Sequence, residues 1–149
     1  MEGAVLLKIT GGQGQIVNTC QGQCYHKNGH HYVLFTEELS EDGGKGKTVF
    51  SSRLKISDDQ VVLRRSLGAQ DPELKKHVME FVYRQREDAD QGCFVDYPSP
   101  YGVLRLEIRT DDLMIDKSEE EISLRIKYQM LQEGQEISRD ALEILIRKA

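Results

Sequence analysis

The segment Cys20–Tyr32, CQGQCYHKNGHHY, holds two cysteines and three histidines, which are side chains that bind zinc well. Asn28-Gly29 within it is a strong signal for a two-residue hairpin turn, because both central positions of a type I′ turn need positive φ. Such a turn pairs His26 with His31 across the two strands, at a Cβ separation of about 5 Å. Three potential ligands then share one face of the hairpin: Cys24, His26 and His31.

This ligand set is incomplete for zinc. A structural zinc site takes four ligands at characteristic spacings, which the segment lacks, and Cys20 lies about 13 Å farther along the strand than Cys24. Polar side chains beside a hairpin tip are ordinarily exposed to water. The sequence therefore predicts no metal site and no cofactor. Cys24, His26 and His31 stay the candidates under a third alternative for the function, a metal-assisted enzyme.

Other chemical signals are also incomplete. No serine lies in a strand-to-helix elbow with an assignable histidine partner, so no nucleophilic site emerges. The stretch GGKGKT, residues 43–48, resembles the end of a phosphate-binding loop, but position 41 is Glu where the motif needs Gly. A strand pattern follows it instead of the helix that would direct N–H groups at phosphate. The sequence favours a binding protein over an enzyme.

Composition limits the class of protein and its partners. A chain of 149 residues with 38% hydrophobic content fits one domain, residues 1–149, with one core. The net charge of −5 divides into +1 for residues 1–70 (8 Lys+Arg, 7 Asp+Glu) and −6 for residues 71–149 (12 against 18), so no partner nucleic acid is expected. With no signal peptide, no membrane-length apolar run and three cysteines, the sequence predicts a cytoplasmic protein without a membrane partner.

Period-2 alternation of apolar and polar residues predicts about ten strands. The connections between them are short and rich in Gly, Asn and Asp, so neighbouring strands should pair antiparallel. A sheet with one apolar and one charged face must cover the apolar face, most simply by closing on itself. We therefore expect an all-β fold, an antiparallel up-and-down meander closing into a β-barrel of about 8–10 strands. The strand candidates are residues 4–10, 14–26, 31–39, 47–57, 60–68, 76–84, 92–97, 102–115, 122–131 and about the last dozen.

The C-terminal region fits two predictions. Ser118 and Glu121 stand at capping-box spacing, and Ile137, Ala141 and Leu145 stand four apart, as in a helix. The strict two-residue spacing of apolar residues in 122–130 and their β-branched content favour a strand there. A strand is also the prediction for residues 135–148.

Two polar side chains fall on predicted apolar faces. Arg65 follows Val61 and Leu63 at two-residue spacing, and Tyr128 lies between Ile126 and Met130 in the same way. A buried guanidinium needs a carboxylate partner or an anionic ligand, and a buried hydroxyl needs a hydrogen-bond partner. The Arg65 guanidinium and the Tyr128 hydroxyl could each find a partner within the protein, in water at the barrel rim, or in a bound ligand.

Four short elements of the chain together resemble the DUF1934 family of small bacterial proteins. Each element alone is weak, and they depart from the family pattern by one extra residue before Gly68 and by Ser99 where Thr is usual. The matching residues are Leu63 and Arg65, Met79 and Phe81, Tyr97 with Pro100, Tyr101 and Gly102, and Tyr128.

The resemblance implies a calycin-like, lipocalin-type β-barrel and brings no known activity. Such a barrel can hold one small, mostly apolar molecule. Our first hypothesis is such a binding protein, with polar contacts from Arg65, Tyr97 and Tyr128 and apolar walls from Met79 and Phe81. The alternative is a structural or protein-interaction barrel, a homodimer among its forms, whose interior is filled by its own side chains.

Overall fold

The computed structural model is one antiparallel sheet of ten strands, and it contains no helix in the residues that it describes, which are 1–11, 16–41, 46–67, 78–85, 92–99 and 102–149. Nothing helical in those ranges is long and apolar enough to span a membrane. The predicted strands are confirmed, including the C-terminal one, apart from the portions of them that fall outside these ranges. The strands are β1 (Gly3–Gly11), β2 (Ile16–Lys27), β3 (His30–Glu41), β4 (Gly46–Ile56), β5 (Gln60–Leu67), β6 (Val78–Arg84), β7 (Cys93–Ser99), β8 (Gly102–Lys117), β9 (Glu121–Gln132) and β10 (Gln135–Lys148).

The sheet is an up-and-down meander that nearly closes into a barrel. Its spatial order is β6-β5-β4-β3-β2-β1-β10-β9-β8-β7, so β1 pairs with β10, and among the described residues β6 and β7 are the neighbours in sequence without a ladder between them. Side chains bridge this gap, which we call the seam: the Cys93 thiol donates to the Glu80 carbonyl at 3.4 Å, and the Arg84 amide donates to Thr110 Oγ1 at 3.1 Å. The predicted all-β antiparallel barrel is confirmed, and it is consistent with a calycin-like fold.

The β2–β3 hairpin has the predicted turn and register. Asn28 and Gly29 have φ values of 53° and 79°, as a type I′ turn requires. His26 pairs with His31 and Tyr25 with Tyr32. At the β8–β9 turn, Ser118 Oγ does accept a hydrogen bond from the Glu121 amide at 3.1 Å, but this bond closes a hairpin rather than capping a helix.

Alternation along the strands builds the barrel core. Buried positions recur every second residue, as in Leu142, Ile144 and Ile146 on β10, whereas Ile137, part of the helical spacing, is 53% exposed. A β-bulge between Thr110 and Asp112 shifts the inward positions of β8 by one residue.

The interior is packed at one end and reaches solvent at the other. We call the end with the Asn28-Gly29 turn the closed end, and the opposite end, where β5 ends and β6 begins, the open end. Along β4 the exposed fraction rises from 0% at Ile56 to 8% at Phe50, and along β10 it rises from 0% at Ile146 to 8% at Leu142. Along β5 it rises from 0% at Val61 to 21% for the side chain of Arg65. Inward-facing Arg65, Tyr97 and Tyr128 therefore keep some contact with water toward the open end, although Glu37 and Met79 at that end are buried.

Candidate functional site

A buried ion pair lies inside the barrel and joins β3 to β5 across the intervening strand β4. Arg65 on β5 donates through Nε to Glu37 Oε2 at 2.8 Å and through a terminal N–H to Glu37 Oε1 at 2.9 Å. Ser52 on β4, between them, donates its hydroxyl to Glu37 Oε2 at 2.7 Å. The Glu37 side chain is 1% exposed, so the carboxylate depends on these partners for its solvation. Arg65 thus has the internal carboxylate partner that its inward position requires.

A cluster of aromatic side chains lies beside the guanidinium of Arg65. The Arg65 carbon Cζ lies 5.7 Å from the centre of the Phe81 ring, within range of a cation–π contact. Phe81 contacts Tyr97 edge-on with ring centres 5.9 Å apart, across the seam. Tyr83 is the next inward residue on β6, and the centre of its ring lies 5.6 Å from the centre of the Tyr128 ring on β9. Side chains from β5, β6, β7 and β9 therefore meet in one cluster, although they come from distant parts of the chain.

Burial and charge shift the pKa values of this cluster. Burial raises the pKa of Tyr97 to about 12, while the positive charge of Arg65 acts in the opposite direction. Burial also raises the pKa values of Tyr83 and Tyr128 above their usual range. For Arg65, burial acts to lower the pKa, but the hydrogen bonds and charge of Glu37 raise it above its ordinary value. At neutral pH the tyrosines are therefore hydroxyl donors beside an ion pair whose charges cancel.

The structure brings together all five residues that the sequence proposed for a binding site. Met79 and Phe81 are buried, whereas Tyr97 and Tyr128 pack against the core and stay partly exposed. Pro100 and Tyr101 of the family-like turn, and Gly68, lie outside the described residues.

The sequence analysis did not propose two members of the cluster, Glu37 and Tyr83. In both cases the two-residue spacing of their neighbours indicates that they face inward. Glu37 follows Val33 and Phe35 at two-residue spacing, and Tyr83 follows Met79 and Phe81 in the same way. Glu37 lies in the acidic run TEELSED, which is typical of a solvated strand end.

Cys24 and the three histidines lie at the closed end, away from this cluster, whereas Cys20 lies near it: burial raises the pKa of Cys20, and the charges of Glu37 and Arg65 act on it in opposite directions. The rings of His26 and His31 are 4.7 Å apart by their centres, but the Cys24 thiol hydrogen-bonds the carbonyl of Met1 at 3.4 Å. Burial and the nearby His26 lower the pKa of His31. No three His, Cys, Asp or Glu side chains within the described ranges are grouped so that they could hold a metal ion.

Comparison with known proteins gives a family and a fold. Residues 7–144 match the model of a family described as a domain of unknown function, DUF1934. The crystal structure of the ywiB protein from Bacillus subtilis superposes with a TM-score of 0.70 at 19% sequence identity, over 99% of this chain and 93% of that one. No curated protein matches the chain significantly. The comparisons therefore support the barrel and assign no activity.

Proposed function

Because the chain belongs to the DUF1934 family, whose function is unknown, we propose its function from the barrel interior: it binds one small, mostly apolar, uncharged molecule at the open end. The carrying observation is the partial exposure of inward-facing Arg65, Tyr97 and Tyr128, whereas Ile56, Val61 and Ile146 toward the closed end have none. Small-molecule sites are apolar concavities with a few convergent polar groups, and the open end has this composition.

The ion pair supports an uncharged ligand. Glu37 already neutralises Arg65 through two hydrogen bonds, so an anionic ligand would have to displace a carboxylate that is held in place by Ser52. A guanidinium carries five N–H donors, and within the described residues two of them bind Glu37, so the others can serve a neutral acceptor. The ligand class is therefore a molecule with a carbonyl or ether oxygen on an apolar body.

The aromatic rings favour a flat apolar body. Phe81, Tyr83, Tyr97 and Tyr128 present faces and edges from three strands, and such rings pack well against another planar group. Met79 adds a flexible apolar side chain on the same inner surface of β6.

Binding of prodan tests the proposal, because this naphthalene is uncharged, carries one carbonyl acceptor and changes its emission in apolar surroundings. We expect saturable binding with a blue shift. The double variant Tyr97→Phe, Tyr128→Phe should weaken it about five- to tenfold, because two hydrogen bonds are worth about 1 kcal/mol each and only some of that is lost.

The matched control is Tyr25→Phe, Tyr32→Phe, which removes two hydroxyls from the stacked pair on the outer surface. This control should bind prodan like the parent protein. Absence of saturable binding, or equal weakening by both double variants, would reject the ligand site and favour the filled structural barrel.

A further inference from the structure

The outer surface of β2–β5 is basic, although the chain as a whole is acidic. Its described outward side chains include four cations and one carboxylate, Glu38, a balance of +3 (4 minus 1) against −5 for the whole chain. No hydrogen bond or ion pair joins any of the four cations to a carboxylate within the described ranges, although Arg64 is directly opposite Glu80 on β6. We call these four residues the outer basic face: Lys27, Arg53, Lys55 and Arg64.

The outer surface of β8–β10 shows the contrast. There the arginines alternate with acidic residues and form ion pairs, such as Arg147 with Glu121 at 2.9 Å and Arg125 with Glu143 at 3.6 Å. The two surfaces therefore differ in whether their cations are neutralised, and not only in their number. Unneutralised cations on a sheet are available to an external anion.

Two of the four cations oppose each other directly. Arg53 pairs with Arg64 across β4 and β5, and Lys55 is the next outward residue on β4. Like charges at directly opposed positions destabilise a sheet, since their Cβ atoms are about 5 Å apart. Binding of a polyanion removes this repulsion, so the arrangement favours a ligand with closely spaced negative charges.

Aromatic rings lie beside these charges. Tyr25 and Tyr32 stack on the outer surface with ring centres 5.1 Å apart and planes within 10°. Tyr32 is directly opposite Lys55. Stacked aromatic rings next to cations on an open sheet are the combination that single-stranded nucleic acids use, bases on the rings and phosphates on the cations.

A groove with hydrogen-bonding side chains borders the same residues. It encloses about 630 Å³ and is lined by Leu6 and Leu34, with Gln21, Gln23 and Ser51 among its polar groups. Leu34 pairs with Arg53, so the groove adjoins the outer basic face. Amide and hydroxyl groups of this kind bind base edges and sugar oxygens.

We propose that the outer basic face and the adjoining groove bind single-stranded nucleic acid, with bases on Tyr25 and Tyr32 and phosphates on Arg53, Lys55 and Arg64. The whole-chain charge predicts against such a partner, but the distribution of charge over the barrel favours it. The site is independent of the barrel interior.

Fluorescence anisotropy with a fluorescein-labelled oligothymidine, measured over a range of salt concentrations, tests this. We expect saturable binding that weakens linearly on logarithmic axes as salt rises. The variant Arg53→Gln, Arg64→Gln should weaken binding about tenfold and reduce the salt slope by about 1.4, since each lost phosphate contact accounts for about 0.7. The variant Tyr25→Leu, Tyr32→Leu should weaken it at least about thirtyfold without changing the slope, since each stacked base contributes about 1 kcal/mol or more.

The matched control is Arg125→Gln, Arg147→Gln, which removes the same charge from the opposite surface and should bind like the parent. No binding at low salt, or equal loss in the control, would overturn the proposal. Binding of vesicles containing phosphatidylglycerol in place of the oligonucleotide would also overturn it and identify a membrane surface as the partner.

Discussion

Replacing Arg65 with Met tests the internal ion pair most severely. The change keeps an apolar chain of similar length but removes the guanidinium, which leaves the Glu37 carboxylate, 1% exposed, with Ser52 as its remaining partner in the described cluster. Breaking a buried pair by removing one partner costs about 3–5 kcal/mol. Because the Arg65 side chain is 21% exposed and water can reach the gap, we expect the lower value, about 3 kcal/mol.

The double variant Glu37→Leu, Arg65→Met supplies the comparison. It removes both charges and leaves the Ser52 hydroxyl without its acceptor, at a cost of about 1–2 kcal/mol. The double variant should therefore be more stable than Arg65→Met alone, although it carries one more substitution. A double variant more stable than the single one is expected only if the uncompensated Glu37 carboxylate accounts for most of the stability that Arg65→Met loses.

Urea unfolding at neutral pH measures the unfolding free energy of both variants. Total stabilities of natural domains are about 5–15 kcal/mol, so a loss of 3 kcal/mol moves the midpoint clearly, with the slope m unchanged. A loss below about 1 kcal/mol for Arg65→Met, or a double variant less stable than the single one, would refute the reasoning.

Two further predictions concern the tyrosines and a close backbone approach. Because the pKa of folded Tyr97 is raised to about 12 while the unfolded chain ionises near 10, stability should fall as pH rises between these values; Tyr97→Phe should reduce the fall in alkaline urea titrations. A Cβ at Gly22 would lie 2.6 Å from the Leu34 carbonyl oxygen, so Gly22→Ala should lower the unfolding free energy by about 1–3 kcal/mol. Its control, Gly11→Ala, meets only Leu142 Cδ1 at 3.5 Å and should be nearly neutral; equal effects would contradict the steric argument.

The sequence was most informative where local chemistry alone decides the structure. Asn28-Gly29 needs positive φ at both positions, so the turn and the pairing of His26 with His31 follow from two residues. Alternation likewise predicted the strands and placed Arg65 inward. The barrel followed because a sheet with an apolar face has to cover it.

What the sequence left open depends on contacts between distant strands. The partner of Arg65 is Glu37, 28 residues away, and its acidic neighbours conceal that it faces inward. The convergence of Tyr83 and Tyr128 depends on how closely the strands on the two sides of the seam approach each other, a geometry that alternation does not specify. The lack of a ladder between the described residues of β6 and β7 has no local signal either, because the sequence EDADQG between them is as rich in turn-forming residue types as the other connections.

Native mass spectrometry of the freshly purified protein shows whether the barrel carries a ligand. We expect a species heavier than the chain by the mass of one small uncharged molecule. Denaturation should release this molecule, and the Tyr97→Phe, Tyr128→Phe variant should retain less of it. A mass equal to the bare chain, together with no binding of prodan, would show that no ligand is bound and leave a barrel filled by its own side chains.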